Sequence, residues 1–148
     1  MTKFEEFYTK GIAHHLKERK RLDTSILNFV LHTLKNNRLK ISPIIAYEHS
    51  PMDHAQDVID SLQPDMYLIC AETWMHEPNG SAKEFEKNYK WGDLNKMKDG
   101  KIECMSFIAK TMDGKEEHSE MHKIIRKDKK IVGYENLDIS KMYSPKLM

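Results

Sequence analysis

A chain of 148 residues with 39% hydrophobic and 32% charged side chains has the size and composition of one soluble globular domain, residues 1–148, with a sizeable core. Its 24 Lys and Arg against 23 Asp and Glu give no global field that selects nucleic acid or an acidic ligand, which leaves only local patches for such roles. The N-terminal segment lacks a signal-peptide h-region and no apolar run reaches the length of a membrane span, so the chain reads as cytoplasmic.

Residues 3–20 carry Phe4, Phe7, Tyr8, Ile12 and Leu16 at helical spacing, which predicts an amphipathic helix. The cluster Lys17, Arg19, Lys20 and Arg21 at its end complements the helix dipole. It is also the one candidate nucleic-acid patch, although Glu5, Glu6 and Glu18 dilute it and no aromatic platform interleaves it. Asp23 or Thr24 caps a second predicted helix to about Lys35, with Leu27, Val30, Leu31 and Leu34 in a 3-4-3 stripe and Asn36–Asn37 as its stop.

Leu39–Tyr47 reads as a strand that Pro43 confines to a sheet edge or splits. Ser50-Pro51-Met52-Asp53 starts a third helix to about Leu62: Ser as N-cap, Pro at the first helical position, an acid three after the cap. Its inner face holds Met52, Ala55, Ile59 and Leu62. Pro64–Met75 is apolar on both faces, as a central strand covered on both sides must be. Alternation puts Glu72 on one face with Met66, Leu68, Cys70 and Trp74, and a carboxylate there needs a partner or a proton.

Residues 76–100 form a long polar insertion in which Ser81–Glu84 is a capping box for a short helix, pinned by Phe85, Tyr89 and Trp91. Ile102–Thr111 alternates as a strand, and Asp113-Gly114 suits a two-residue type I′ turn. Residues 116–127 return, Asp128–Lys129 turns, and Ile131–Leu137 closes an antiparallel meander, with 139–148 as a tail. The expected fold is α+β: about five mostly antiparallel strands, with three helices on one face.

The sharpest chemical pattern is His118-x-Glu120-x-His122. On a strand the three side chains share a face at about 6.5–7 Å spacing, and two imidazoles with a carboxylate are a ligand set for zinc or another divalent transition metal. Glu72 facing the same space would add a fourth ligand or a general base. A solvent-facing polar row explains the same spacing. Glu48, His49, Asp53 and His54 form a second cluster for metal or acid–base work, although Asp53 already serves the helix start.

A divalent-cation nuclease site built on Pro64-Asp65 needs an acid-x-Lys pair on the next strand. The available pairs, at Asp99, Asp113 and Asp128, all fall at turns, where Asp and Gly have a conformational reason to be. Cys70 and Cys104 lie in apolar runs and read as small buried hydrophobes, with a bridge open if their strands pair. No Gly-rich phosphate loop or nucleophile elbow is present.

The run Ala71-Glu72-Thr73-Trp74-Met75 resembles the Ala-Glu-Ala-Trp-Met signature of small uncharacterised proteins of phages and bacteria, which share this order of elements over about residues 25–127. Asp99–Glu103 corresponds to their Pro-Asp-Arg-x-Glu stretch, with Glu103 kept and Lys101 in place of Arg, and Ile124-Ile125-Arg126 corresponds to their Ile-Ile-Arg strand end. The resemblance implies no reaction. It does imply Glu72, Glu103 and Arg126 as a polar cluster, and a viral or mobile-element origin.

The leading expectation is a small non-catalytic protein that binds a protein partner or itself, with no membrane and no cofactor. The alternatives are a metal-dependent enzyme using His118, Glu120 and His122, and a nucleic-acid binder using Lys17–Arg21.

Overall fold

The structure is a computed structural model that describes residues 1–22, 25–45, 50–76 and 101–137. Two helices, α1 (Lys3–Arg21) and α2 (Pro51–Leu62), enclose a sheet of six strands: β1 (Phe29–Lys35), β2 (Arg38–Pro43), β3 (Met66–His76), β4 (Lys101–Thr111), β5 (Glu117–Lys127) and β6 (Lys130–Leu137). The strand order is β2-β1-β3-β4-β5-β6, and every neighbouring pair is antiparallel. The fold class is α+β, as expected, with one strand more and one helix fewer.

The missing helix is the main correction. Residues 25–28 form one 3-10 turn, and Phe29–Lys35 is strand β1. Its alternation sends Val30, His32 and Leu34 to one face, and Phe29, Leu31 and Thr33 to the other. Both faces are covered, so apolar residues recur at consecutive positions and imitate a helical stripe. Asn36 and Asn37 are not a helix stop; with φ of 51° and 63° they form the left-handed pair that a tight hairpin into β2 requires.

The helices lie on opposite faces rather than one. Phe4, Phe7 and Ile12 of α1 pack on Val30, Met66, Leu68, Cys70, Met105, Phe107, Ala109, Ile124 and Ile131. Ala55 and Ile59 of α2 pack on Leu31, Ile44 and Ile69. That two-sided cover is why β3 is apolar on both faces, and burial of this kind is the dominant favourable term in folding. Cys70 and Cys104 sit on the adjacent strands β3 and β4 but point to opposite faces, and both are free thiols.

The start of α2 is the one its sequence predicts: the Ser50 hydroxyl accepts from the Asp53 N–H, and Pro51 occupies the first turn. The β4–β5 connection differs from the expected two-residue turn. Thr111 N–H donates to Glu116 O across four intervening residues, and Gly114 alone there has positive φ, at 75°. Asp128 and Lys129, at 53° and 68°, do form a tight left-handed turn between β5 and β6. The pairing of those strands skips Val132, a bulge that keeps Ile131 and Tyr134 on the α1 face. The predicted short helix within 76–100, the tail 139–148, Glu48 and His49 lie outside the described residues. Among the described residues no helix is long and apolar enough to cross a membrane.

Candidate functional site

The sheet face beneath α1 collects nearly all the chemistry. The buried stripe of α1 runs Phe4, Phe7, Gly11, Ile12, His15 and Arg19, so two polar residues occupy positions where apolar ones belong. Gly11 sets the approach of the helix. A Cβ built there would lie 2.6 Å from Leu68 Cδ2 and 3.2 Å from His32 Nδ1, closer than packed atoms tolerate. The absence of that carbon lets α1 settle low enough to bring His15 onto the sheet.

There His15 meets His32 of β1 and Cys70 of β3. One ligand atom from each lies within 4.8 Å of the others, and all three residues are buried. Among the described residues this is the one such convergence of three His, Cys or acidic ligand atoms. Cys70 pairs with Val30 across the β1–β3 ladder while His32 pairs with Leu68, so the two side chains are diagonal neighbours on one face. Among the described residues His15 Nε2 and both ring nitrogens of His32 have no hydrogen-bond partner. A buried polar atom left without one costs about 1–3 kcal/mol.

Burial, with the Arg19 guanidinium and the His14 ring nearby, lowers His15 to about 4. Burial, with His15 and His14, lowers His32 to about 4. Both rings are therefore neutral near pH 7, each with a lone pair on one nitrogen. Burial raises the Cys70 thiol far above its ordinary value, so on its own it stays protonated.

A cleft of about 610 Å3 opens between α1 and the β1–β2 hairpin. His32 lies in its wall, with Phe7, Gly11, Leu34, Leu39 and Ile41, while Lys3, Glu6, Lys10 and His14 line the helix side. The His14 ring stands edge-on to His32 at 6.3 Å between centroids.

His118, Glu120 and His122 share the α1 face, as their alternation predicts. Glu120 stands between the imidazoles: His118 Nε2 is 2.7 Å from one carboxylate oxygen and His122 Nε2 is 2.7 Å from the other. Burial opposes the charge on Glu120, but these hydrogen bonds outweigh it and hold the carboxyl below its usual range. Tyr8 of α1 stacks on His118 at 3.9 Å with the rings 7° from parallel. Phe107 separates this row from the first cluster, edge-on to His15 at 5.8 Å and to His122 at 5.6 Å. Glu72 does not join the row.

Glu72 instead pairs with Arg19 at the end of α1, where Arg19 also donates to Leu22 O. Glu103 holds Arg126 through both carboxylate oxygens, at 2.5 and 3.0 Å. The expected Glu72, Glu103 and Arg126 cluster is therefore two ion pairs on one face, with Arg19 as the partner that the sequence did not supply. Between α1 and the sheet, Tyr134 OH donates to Leu16 O at 2.8 Å. The basic cluster is divided: Arg19 turns inward, Arg21 pairs with Glu18, and Lys17 and Lys20 stay exposed. Asp53 serves the α2 cap. The carboxylate of Asp65, the acid of the nuclease pattern, accepts from the Asn36 N–H in the β1–β2 turn.

Comparison of the chain with protein families, with curated proteins and with solved structures finds no match. The resemblance at Ala71–Met75 therefore rests on its short motifs alone.

Proposed function

We propose that the chain acts by binding, and that its partner is an extended acidic segment of another protein that adds to the outer side of β2 and fills the cleft. The observation that carries this reading is β2 itself: among the described residues it is paired on one side only, with Leu39 and Ile41 exposed beside the cleft. An open strand edge is a template for a further strand, whose main chain supplies affinity and whose alternate side chains supply specificity.

The chemistry of β2 favours a foreign strand over a second copy. Its other face carries Arg38 and Lys40, both exposed, which repel their own copies across a twofold axis. An incoming strand that alternates acidic and apolar residues satisfies both faces: carboxylates meet Arg38 and Lys40, and apolar side chains meet Leu39, Ile41 and the cleft wall.

Selection of extended peptides from a random library against the full chain tests this. The expected winners alternate acidic and apolar residues, bind more weakly as salt rises, and lose at least about tenfold in affinity, or about 1.4 kcal/mol, to Ile41→Asp. Winners without alternation, or binding that survives Ile41→Asp, would overturn it.

A further inference from the structure

We infer that His15, His32 and Cys70 form a binding site for a borderline-soft divalent transition metal ion, of which zinc is the natural occupant. The inference is independent of the partner proposed for β2. It concerns residues other than the His118, Glu120 and His122 set.

The donor set is the first argument. Two imidazoles and a thiolate are ligands that zinc accepts, and oxygen-preferring ions such as magnesium and calcium do not select them. The second argument is geometric. Zinc–nitrogen and zinc–sulfur bonds of about 2.0–2.3 Å place the ligand atoms of a tetrahedral ion about 3.3–3.6 Å apart. The three atoms here already lie within 4.8 Å of one another, close to the separations that a bound ion sets. The third is the set of orphaned atoms: three imidazole nitrogens of the same two rings are buried with no hydrogen-bond partner among the described residues. A core that needed only volume at these positions would use Leu or Phe, which carry no such cost.

Three separate elements deliver the ligands, α1, β1 and β3, and Gly11 removes the one carbon that would hold the helix off. The fourth coordination position falls to a donor from the cleft, where His14 stands beside His32. Loading is balanced by one proton: the Cys70 S–H bond breaks, the sulfur–metal bond forms, and the proton leaves to solvent, while the neutral imidazoles bind through existing lone pairs.

Cobalt(II) is the probe, because it takes zinc sites and reports its ligands by colour. Untagged full-length chain, stripped with chelator, is titrated with cobalt. The expected result is a saturable thiolate-to-cobalt charge-transfer band in the near ultraviolet, with tetrahedral d–d bands in the visible, both bleached by zinc. Cys104→Ser and Glu120→Gln keep these bands, and Cys70→Ser loses the charge-transfer band. The chain has two cysteines, so a band retained in Cys104→Ser assigns the sulfur to Cys70 even where Cys70→Ser fails to fold. Absence of the band in the wild-type chain overturns the inference. So does a band that is lost in Cys104→Ser or that survives in a folded Cys70→Ser.

Discussion

The guanidinium of Arg19 is hydrogen-bonded to the Glu72 carboxylate, joining the last turn of α1 to the central strand β3. Arg19 is 5% exposed and the Glu72 side chain 16%, so the charges have largely left water for each other. A pair of this kind is costly to break and inexpensive to replace as a unit. Glu72→Met and Arg19→Met should each lower stability by about 3 kcal/mol, while the double variant Arg19→Met with Glu72→Met recovers most of the loss. Urea denaturation of the four proteins measures the coupling, and additive losses would show that the two residues act separately.

Gly11→Ala isolates the helix-to-sheet approach. Alanine is the better helix former by about 1 kcal/mol, so propensity alone predicts stabilisation. The contact at 2.6 Å with Leu68 predicts the reverse, a net loss of about 1–3 kcal/mol from overpacking. Addition of Leu68→Ala relieves the clash and makes the loss from Gly11→Ala smaller than in the wild-type background. A thermal melt that rises in the single variant would mean that α1 does not depend on close approach here.

Acid should unfold the chain through His15 and His32. In the folded state each takes a proton only at about 4, because burial opposes the charge, whereas the unfolded rings titrate near the ordinary 6.5. Between these values the unfolded chain holds more protons, so stability is complete above about pH 6.5 and falls as pH drops towards 4. The gap of about 2.5 pH units corresponds to on the order of 3 kcal/mol for each ring. Urea midpoints between about pH 7 and pH 4.5, measured in chelator, should flatten in His15→Leu and His32→Leu. Slopes unchanged in both variants would assign the acid sensitivity elsewhere.

Glu120 adds a carboxylate whose effect on stability runs in the same direction with pH. The hydrogen bonds from His118 and His122 overcome its burial and hold its titration below the usual range. Its contribution to stability is therefore present above the ordinary glutamate pKa and is lost as pH falls through the lowered one. Carboxyl-carbon NMR should place this titration below that of an exposed glutamate, and His118→Ala or His122→Ala should move it upward. A titration indifferent to both variants would show that neither ring donates to it.

Strand β4 was legible because it alternates cleanly, β5 and β6 because turn residues at Asp113-Gly114 and Asp128–Lys129 mark them off, and the start of α2 because Ser50, Pro51 and Asp53 satisfy one cap together. Strand β1 was not, because a strand covered on both faces loses its period-two contrast, and Leu27, Val30, Leu31 and Leu34 then match a helix by accident. The signals that competed were the β-branched and aromatic content of Phe29-Val30 and Thr33, and the paired asparagines that follow. The His15, His32 and Cys70 cluster was missed for the same reason: its members lie on three elements, one of them misassigned. The visible trace was a histidine and an arginine on the apolar stripe of α1, at Phe7, Gly11, His15 and Arg19. Polar residues there ask for partners across the fold, and spacing along the chain does not reveal them.

The hydrogen bond from Tyr134 to Leu16 spans 118 residues of sequence, and α1 rests on β3, β4 and β6 together. Helix α1 therefore has no completed surface to dock on until β6 has paired. Contacts of such long range carry a large loop-closure cost and slow folding, so docking of α1 and completion of the sheet are one event.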